Sequence, residues 1–227
     1  MSAIRKVAII GAGGKTTLLR MLSEHHRTKH VLVTTTTHIL PFFPPDVERL
    51  CIDPQAETLR AALSCSGITC AGTQDGKKLA ALSPDLLSLA EQYADYIFYE
   101  ADGARRMPLK LHTQSEPVIL PQTTHGIIVV GLSALGRPIS ECVHRYTLHP
   151  EWSQTPDRPV DAQIIRICIE DAILASKMPA ERLTILLNQC DACPQAYASS
   201  LASSFQHLHC VFASLQKDGL PAPLSAL

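Results

Sequence analysis

Nowhere in the 227 residues does an apolar run approach the roughly 20 residues that a helix needs to cross a bilayer, so no membrane partner is expected. A basic excess is missing too. Lys and Arg number 20 against 21 Asp and Glu, for a net charge of -1, whereas a nucleic-acid partner calls for clustered cations. Internal repeats and low-complexity segments are absent, although Pro41-Phe-Phe-Pro-Pro45 is a stiff loop. There is no disulfide framework either. Cys51, Cys65, Cys70, Cys142, Cys168, Cys190, Cys193 and Cys210 are scattered, as expected of thiols in a reducing compartment. Residues 1 to 10 run straight into a glycine-rich stretch, leaving no room for a signal peptide, and the expected location is the cytoplasm.

What the chain does have is apolar content, 46%, enough for a substantial core in a single domain over residues 1–227. Strand-like and helical patterns alternate, which predicts an α/β fold with a mostly parallel sheet. Strands are expected near 4–10, 30–36, 95–100, 126–131, 183–188 and 209–213, and helices near 16–26, 55–65, 84–93, 160–176 and 194–206. Ser83-Pro84 and the stretch from Asp157 to Asp161 read as helix entries. Near 66–82, Gln74-Asp-Gly-Lys77 carries a hairpin signal, so a small β-hairpin insertion is expected there.

The stretch Gly11-Ala-Gly-Gly-Lys-Thr-Thr17 follows the apolar run Val7-Ala-Ile-Ile10 and precedes a helical pattern. Glycines let backbone N–H groups close on phosphate oxygens, and a helix start adds partial positive charge. In this reading Gly11, Gly13, Gly14, Lys15, Thr16 and Thr17 bind a nucleotide. Lys15 reaches its β and γ phosphates, and Thr16 offers a hydroxyl to Mg²⁺. The common longer spacing would need glycine at Ile9. The shorter form present here resembles the loop of Mur-type ligases. A P-loop NTPase-like three-layer sandwich follows as the expected fold.

In open α/β sheets, ligands bind beyond the carboxyl ends of strands. The second strand ends in Thr34-Thr-Thr-Thr37-His38, where Thr36 or Thr37 could meet Mg²⁺ or phosphate and His38 could face the same cleft; threonine also simply suits β structure. The third ends in Glu100-Ala-Asp102-Gly103. With period-2 alternation both carboxylates share a face, which suits a Mg²⁺ site of Thr16, Glu100 and Asp102 and, with Lys15, a catalytic set. Arg105, Arg106 and Lys110 follow, either as anion binders or as a solvated loop. Further on, Asn188-Gln-Cys-Asp191 resembles the Asn-Lys-x-Asp base motif of GTPases. Asp191 would accept from the guanine edge, although Gln189 replaces the lysine and an ordinary turn would read the same way. Ala213-Ser-Leu215 is similar to the serine loop GTPases place beside the base.

Cys190 and Cys193 form a C-x-x-C pair at the start of an expected helix, where the dipole would lower a thiol pKa and suit sulfur, selenium or a soft metal. One such pair is only half of a four-thiolate zinc site. His207, His209, Cys210, Cys142, His144 and Arg145 are ambiguous between ligands and packing.

Taken in order, Gly11 to Thr17, Thr34 to His38, Glu100 to Ala104, Pro108-Leu-Lys110, Glu116-Pro-Val-Ile119, Gly131-Leu-Ser-Ala-Leu-Gly136 and His144-Arg145 resemble the YqeC-like accessory proteins of selenium-dependent molybdenum hydroxylases. The resemblance implies a P-loop protein that binds Mg²⁺ with GTP or ATP and takes part in cofactor maturation. It would act beside the hydroxylase or its cofactor chaperone. Three activities remain open: an NTP-hydrolysing maturation factor, a ligase or kinase acting on a small molecule, and a nucleotide-gated binding module without significant catalysis.

Overall fold

The run Val7-Ala-Ile-Ile10 is apolar on both faces, the mark of a strand covered on both sides, and it lies at the centre of the sheet. The computed structural model describes residues 4–206 and 208–227. The central run forms β1 (Arg5–Gly11), and α1 (Lys15–His25) follows almost at once. Then come β2 (His30–Thr35), β3 (His38–Ile39), β4 (Arg49–Ile52) and α2 (Ala56–Leu63). A long β5 (Gly67–Asp75) turns at Gly76 into β6 (Lys78–Ala80), ahead of α3 (Pro84–Tyr93), β7 (Tyr96–Glu100), β8 (Leu109–Lys110) and β9 (His125–Gly131). Short elements follow: α4 (Ile139–Cys142), β10 (Val143–His144) and α5 (Pro150–Gln154). The chain closes with α6 (Ala162–Ser176), β11 (Leu183–Asn188), α7 (Gln195–Ser203), β12 (His209–Ala213), α8 (Leu215–Asp218) and α9 (Ala222–Ser225).

All six strands and five helices expected from periodicity form, with bounds shifted by a few residues. The main sheet runs β12-β11-β9-β1-β7-β2-β5, every pair parallel, and β4 adds to β5 in the same sense. The first half of β5, expected as part of an insertion, is a full member of this sheet because Ile68 to Ala71 are buried. Only its end, Thr73–Asp75, pairs antiparallel with β6, which in turn pairs with β3.

Alternation along the strands divides the core in two. Ala8, Ile10, Ile97, Tyr99 and Ile128 face Leu59 and Leu63 of α2, Ala90 of α3, Ile164, Ile165 and Ile169 of α6, and Leu201 of α7. Val7, Ile9, Val31, Phe98 and Ile127 face Leu18, Leu19 and Leu22 of α1, with Leu215 and Leu224 of α8 and α9. The result is an α/β fold with helices on both faces of a mostly parallel sheet. Two entries foreseen in the sequence hold as caps: the Leu86 N–H donates to Ser83 Oγ at 3.3 Å, and the Ile164 N–H donates to the Asp161 carboxylate at 2.9 Å.

Candidate functional site

With β1 flanked by β7 on one side and β9 on the other, its carboxyl end is where the strand order reverses and where the crossovers part. A cleft of ≈ 790 Å³ lies along this edge, and the loop residues Gly13, Gly14, Lys15, Thr16 and Thr17 form one wall. Gly13 (φ +87°) admits no side chain, since a Cβ would lie 2.5 Å from Gly131 Cα. Gly14 (φ +134°) is likewise closed, by the Asn188 amide. Ala12 N–H donates to Val129 O and Leu18 N–H to Gly14 O, yet among the described residues nothing accepts from the five N–H groups between them, Gly13 to Thr17. Free donors at a helix start are an arrangement able to accept an anion.

Beneath it lies a buried charge hub centred on Asp102, which is fully shielded from solvent. Lys15 Nζ approaches Asp102 Oδ1 at 2.9 Å as an ion pair, lies 3.7 Å from Glu100, and donates to Gly11 O at 2.6 Å. Asp102 Oδ2 accepts the Gly11 N–H at 2.9 Å and meets His112 Nε2 at 2.7 Å and Lys110 Nζ at 3.2 Å. Burial pushes the Asp102 carboxyl up, but Lys15, His112 and Lys110 outweigh it and hold it well below the carboxylate range. Burial likewise works against the Lys15 ammonium, and Asp102 and Glu100 reverse this, raising its pKa. Glu100 differs: burial raises its carboxyl despite Lys15, and it lines the cleft.

The two acids expected side by side in a metal site are therefore divided. Both reach Lys15, as period-2 alternation requires, but Asp102 has its oxygens committed to cations and one N–H and is withdrawn from the cleft. Its Oδ2 holds the N–H of Gly11, where the loop begins. Among the described residues no group of three or more His, Cys, Asp or Glu is placed to hold a metal ion. Lys110, expected as an anion binder, is buried and tied to Asp102, Glu116 and Gly103 O. Arg105 and Arg106 line the cleft. Thr37 and His38 do as well, whereas Thr36 gives its hydroxyl to Val118 O at 2.8 Å.

The base-side corner is a smaller hollow of ≈ 200 Å³ between Gly14, Thr17, Asn188, Asp191 and Ser214 to Lys217. Asn188 was expected to touch a base. In the structure its Nδ2 donates to Gly13 O at 2.7 Å and its Oδ1 accepts the Leu215 N–H at 3.0 Å, so it braces one loop against the other. Asp191 does reach the hollow, paired with Lys217 at 2.7 Å, and its N–H donates to Ser214 Oγ. Gln189 takes Ser133 Oγ–H on its Oε1 at 2.6 Å.

The cysteine expectation is corrected. Cys190 sits in a 3-10 turn ahead of α7, donates to Leu187 O at 3.1 Å, and burial raises both its thiol and that of Cys193. Neither thiol has a lowered pKa. Cys142 is packed in the core, and His209 is exposed on β12; His207 lies outside the described residues. His144 lines the cleft, so of the ambiguous set it joins the site together with Arg145.

Sequence reasoning missed His112 and Asp171. His112 bridges Asp102 to Asp171 of α6, whose carboxylate lies 2.7 Å from Nδ1 and accepts the His112 N–H at 2.8 Å. Burial lowers the imidazole pKa, but its two carboxylate partners raise it overall. The signal available was the period of two from Lys110 to His112; for Asp171, inside a helix, there was none.

A family model described as YqeC protein matches residues 7–147. The chain is similar to "Uncharacterized protein YqeC" of Escherichia coli (strain K12), 36% identical over 162 residues. That alignment takes in 66% of this chain and 59% of the relative, so the chain spans less than two thirds of the relative's length. No solved structure matches. The family match contains the glycine loop, Glu100, Asp102, His112 and Arg145, and ends before Asp171, Asn188 and Asp191.

Proposed function

The chain belongs to the YqeC protein family, and from that premise we propose a Mg²⁺-dependent, nucleotide-binding accessory protein of P-loop NTPase-like architecture. It hydrolyses GTP or ATP in the cytoplasm during maturation of selenium-dependent molybdenum hydroxylases, docking on the hydroxylase or its cofactor chaperone. The observation that supports nucleotide binding is the row of five N–H groups from Gly13 to Thr17, without partners among the described residues, with Lys15 behind them.

The residues present fit a Mg²⁺ held mainly by phosphate and water, with few protein ligands. Thr16, exposed at the helix start, would supply a hydroxyl and Glu100 the carboxylate that lines the cleft; the ion would neutralise charge developing on the phosphates. Lys15 would exchange part of its contact with Asp102 for phosphate oxygens, while Asp102, His112 and Lys110 keep the loop in place. Glu100, its carboxyl raised by burial, is the group that can take a proton from an attacking water. A cleft extending from the loop to Arg105 and Arg145 also supports the ligase or kinase reading, in which the phosphate goes to a second substrate.

Calorimetric titration with GTP and with ATP in Mg²⁺ tests this. Micromolar binding is expected, weakened about 100-fold or more by Lys15→Ala, since a charge-assisted contact to phosphate is lost. Binding of neither nucleotide, or undiminished binding by the variant, would overturn the reading. Turnover that needs a second substrate would select transfer over hydrolysis, and very slow turnover with nucleotide-dependent association would select the gated module.

A further inference from the structure

Six cationic side chains line the main cleft, Lys15, Lys78, Arg105, Arg106, Arg137 and Arg145, against the two carboxylates Glu100 and Glu116. The whole chain carries a net charge of -1, so this is a local concentration of positive charge. Lys15 belongs to the glycine loop. The arginines come from other segments, the loop after Asp102 and the stretch from Arg137 to Arg145 around β10, and they line the same cleft.

Their backbone is unusual as well. Arg105 (φ 47°), Arg106 (φ 64°) and Arg145 (φ 63°) are all left-handed, as is Gln189 (φ 63°). These four line the cleft and make up more than half of the seven non-glycine residues with positive φ among those described. Strain of this kind persists where surrounding structure enforces it, and it gathers at ligand sites. The enforcement is visible for Arg145, whose guanidinium is held by Glu116 at 2.7 Å, with Lys110 on the same carboxylate oxygen at 3.1 Å. Arg105 and Arg106 are exposed and make no ion pair among the described residues, so their forks remain open to a ligand.

His144, 9% exposed, lines the same cleft and lies near Arg145 and Arg105. Burial, Arg145, Lys110 and Arg105 push its imidazole down to about 4, so it is neutral at pH 7 and offers a lone pair as a hydrogen-bond acceptor. Guanidinium forks near a neutral acceptor suit a dianionic oxyanion attached to a hydroxylated or aminated body.

We propose that the arginine wall of the cleft, Arg105, Arg106 and Arg145 with His144, is a second-substrate subsite that takes a phosphomonoester while the glycine loop holds the nucleotide. The assignment rests on the nucleotide reading for the glycine loop, and it gives the cleft two anion sites.

The test titrates the full chain, saturated with Mg²⁺ and a non-hydrolysable GTP or ATP analogue, with phenyl phosphate as probe and benzoate as the carboxylate control. Arg105→Gly/Arg106→Gly is the variant of choice, because glycine accepts the left-handed backbone and the loop is preserved. Phenyl phosphate binding at least tenfold tighter than benzoate, weakened tenfold or more in the double variant while nucleotide affinity changes less than twofold, is the expected result. Absence of probe binding, equal binding of benzoate, or insensitivity to the substitutions would overturn the subsite. The same titration without nucleotide separates the two readings. Probe binding retained in Lys15→Ala and lost in the double arginine variant supports the subsite even for a chain that binds no nucleotide, and the reverse pattern places the probe on the glycine loop and refutes it.

Discussion

Asp102 and Asp191 each pair with a lysine at the carboxyl edge of the sheet, 2.9 Å from Lys15 and 2.7 Å from Lys217. Around Asp102 everything is dry: the carboxylate is 0% exposed and Lys15 5%, with Lys110 and His112 pressed against the same group. Around Asp191 everything is wet, 36% exposed for the acid and 67% for its lysine. Removing a partner from a buried network strands the charges that remain, whereas water replaces a lost partner at the surface. The first region can therefore act as scaffold for the glycine loop. The second leaves its carboxylate available to whatever enters the smaller hollow.

The largest effect should come from Asp102→Ala, which leaves Lys15, Lys110 and His112 without their common counter-charge. A loss of about 3–5 kcal/mol is expected, a drop on the order of 10 °C in melting temperature for a chain of this size. A shift of only a degree or two in thermal unfolding would break the contrast between buried and exposed pairs.

The same hub should give stability two opposite pH limbs. Asp102, with its folded pKa lowered, contributes stability that is present above its unfolded value of about 3.9 and is lost as pH falls through the folded one. His112 has its folded pKa raised, so its contribution is complete below an unfolded value of about 6.5 and fades as pH rises through the folded one. Urea midpoints should decline above about pH 6.5 as the His112 contribution fades, while His144, whose folded pKa is lowered to about 4, makes them rise with pH between about 4 and 6.5. In His112→Gln the alkaline decline should shrink, and an unchanged decline would remove His112 from the hub's energetics.

How far each region could be read in advance follows from the range of its contacts. The strands and helices that build the sheet are written locally, in Val7-Ala-Ile-Ile10 or in Ser83-Pro84 before α3, so periodicity and capping recover them. β4 escaped because Arg49-Leu-Cys-Ile52 is short and begins with a charge, and it is a strand only because β5 lies beside it. The pairing of Glu100 and Asp102 toward Lys15 was legible from alternation. Which of them faces the cleft was not, because that depends on His112 and Asp171, 10 and 69 residues beyond Asp102, arriving through the fold. Asn188 was legible as a site residue, but its brace was not: its amide reaches Gly13 O across 175 residues, a contact no local pattern reports.

Asn188→Ala falls between the two regions and should cost an intermediate amount. It would leave Gly13 O and the Leu215 N–H without their partners, worth about 2–3 kcal/mol. Because Gly13 begins the row of free donors, nucleotide affinity should fall with stability. A stable variant with unchanged affinity would detach the base-side corner from the glycine loop.

The smallest effect on stability, and the most selective one on binding, is expected of Asp191→Asn. Lys217 is its exposed partner, so melting temperature should not move measurably. A carboxylate can accept from both N–H groups of the guanine edge, whereas adenine presents an acceptor there, so a chain that prefers GTP should lose about tenfold of that preference in the variant. Lys217→Ala sharpens the same point from the other side. Freed of its competitor, Asp191 should bind the guanine edge more tightly, and the preference for GTP should grow. If neither substitution moves the ratio of GTP to ATP affinity, Asn188 to Asp191 is a turn that braces the glycine loop, and the wet corner is as structural as the dry one.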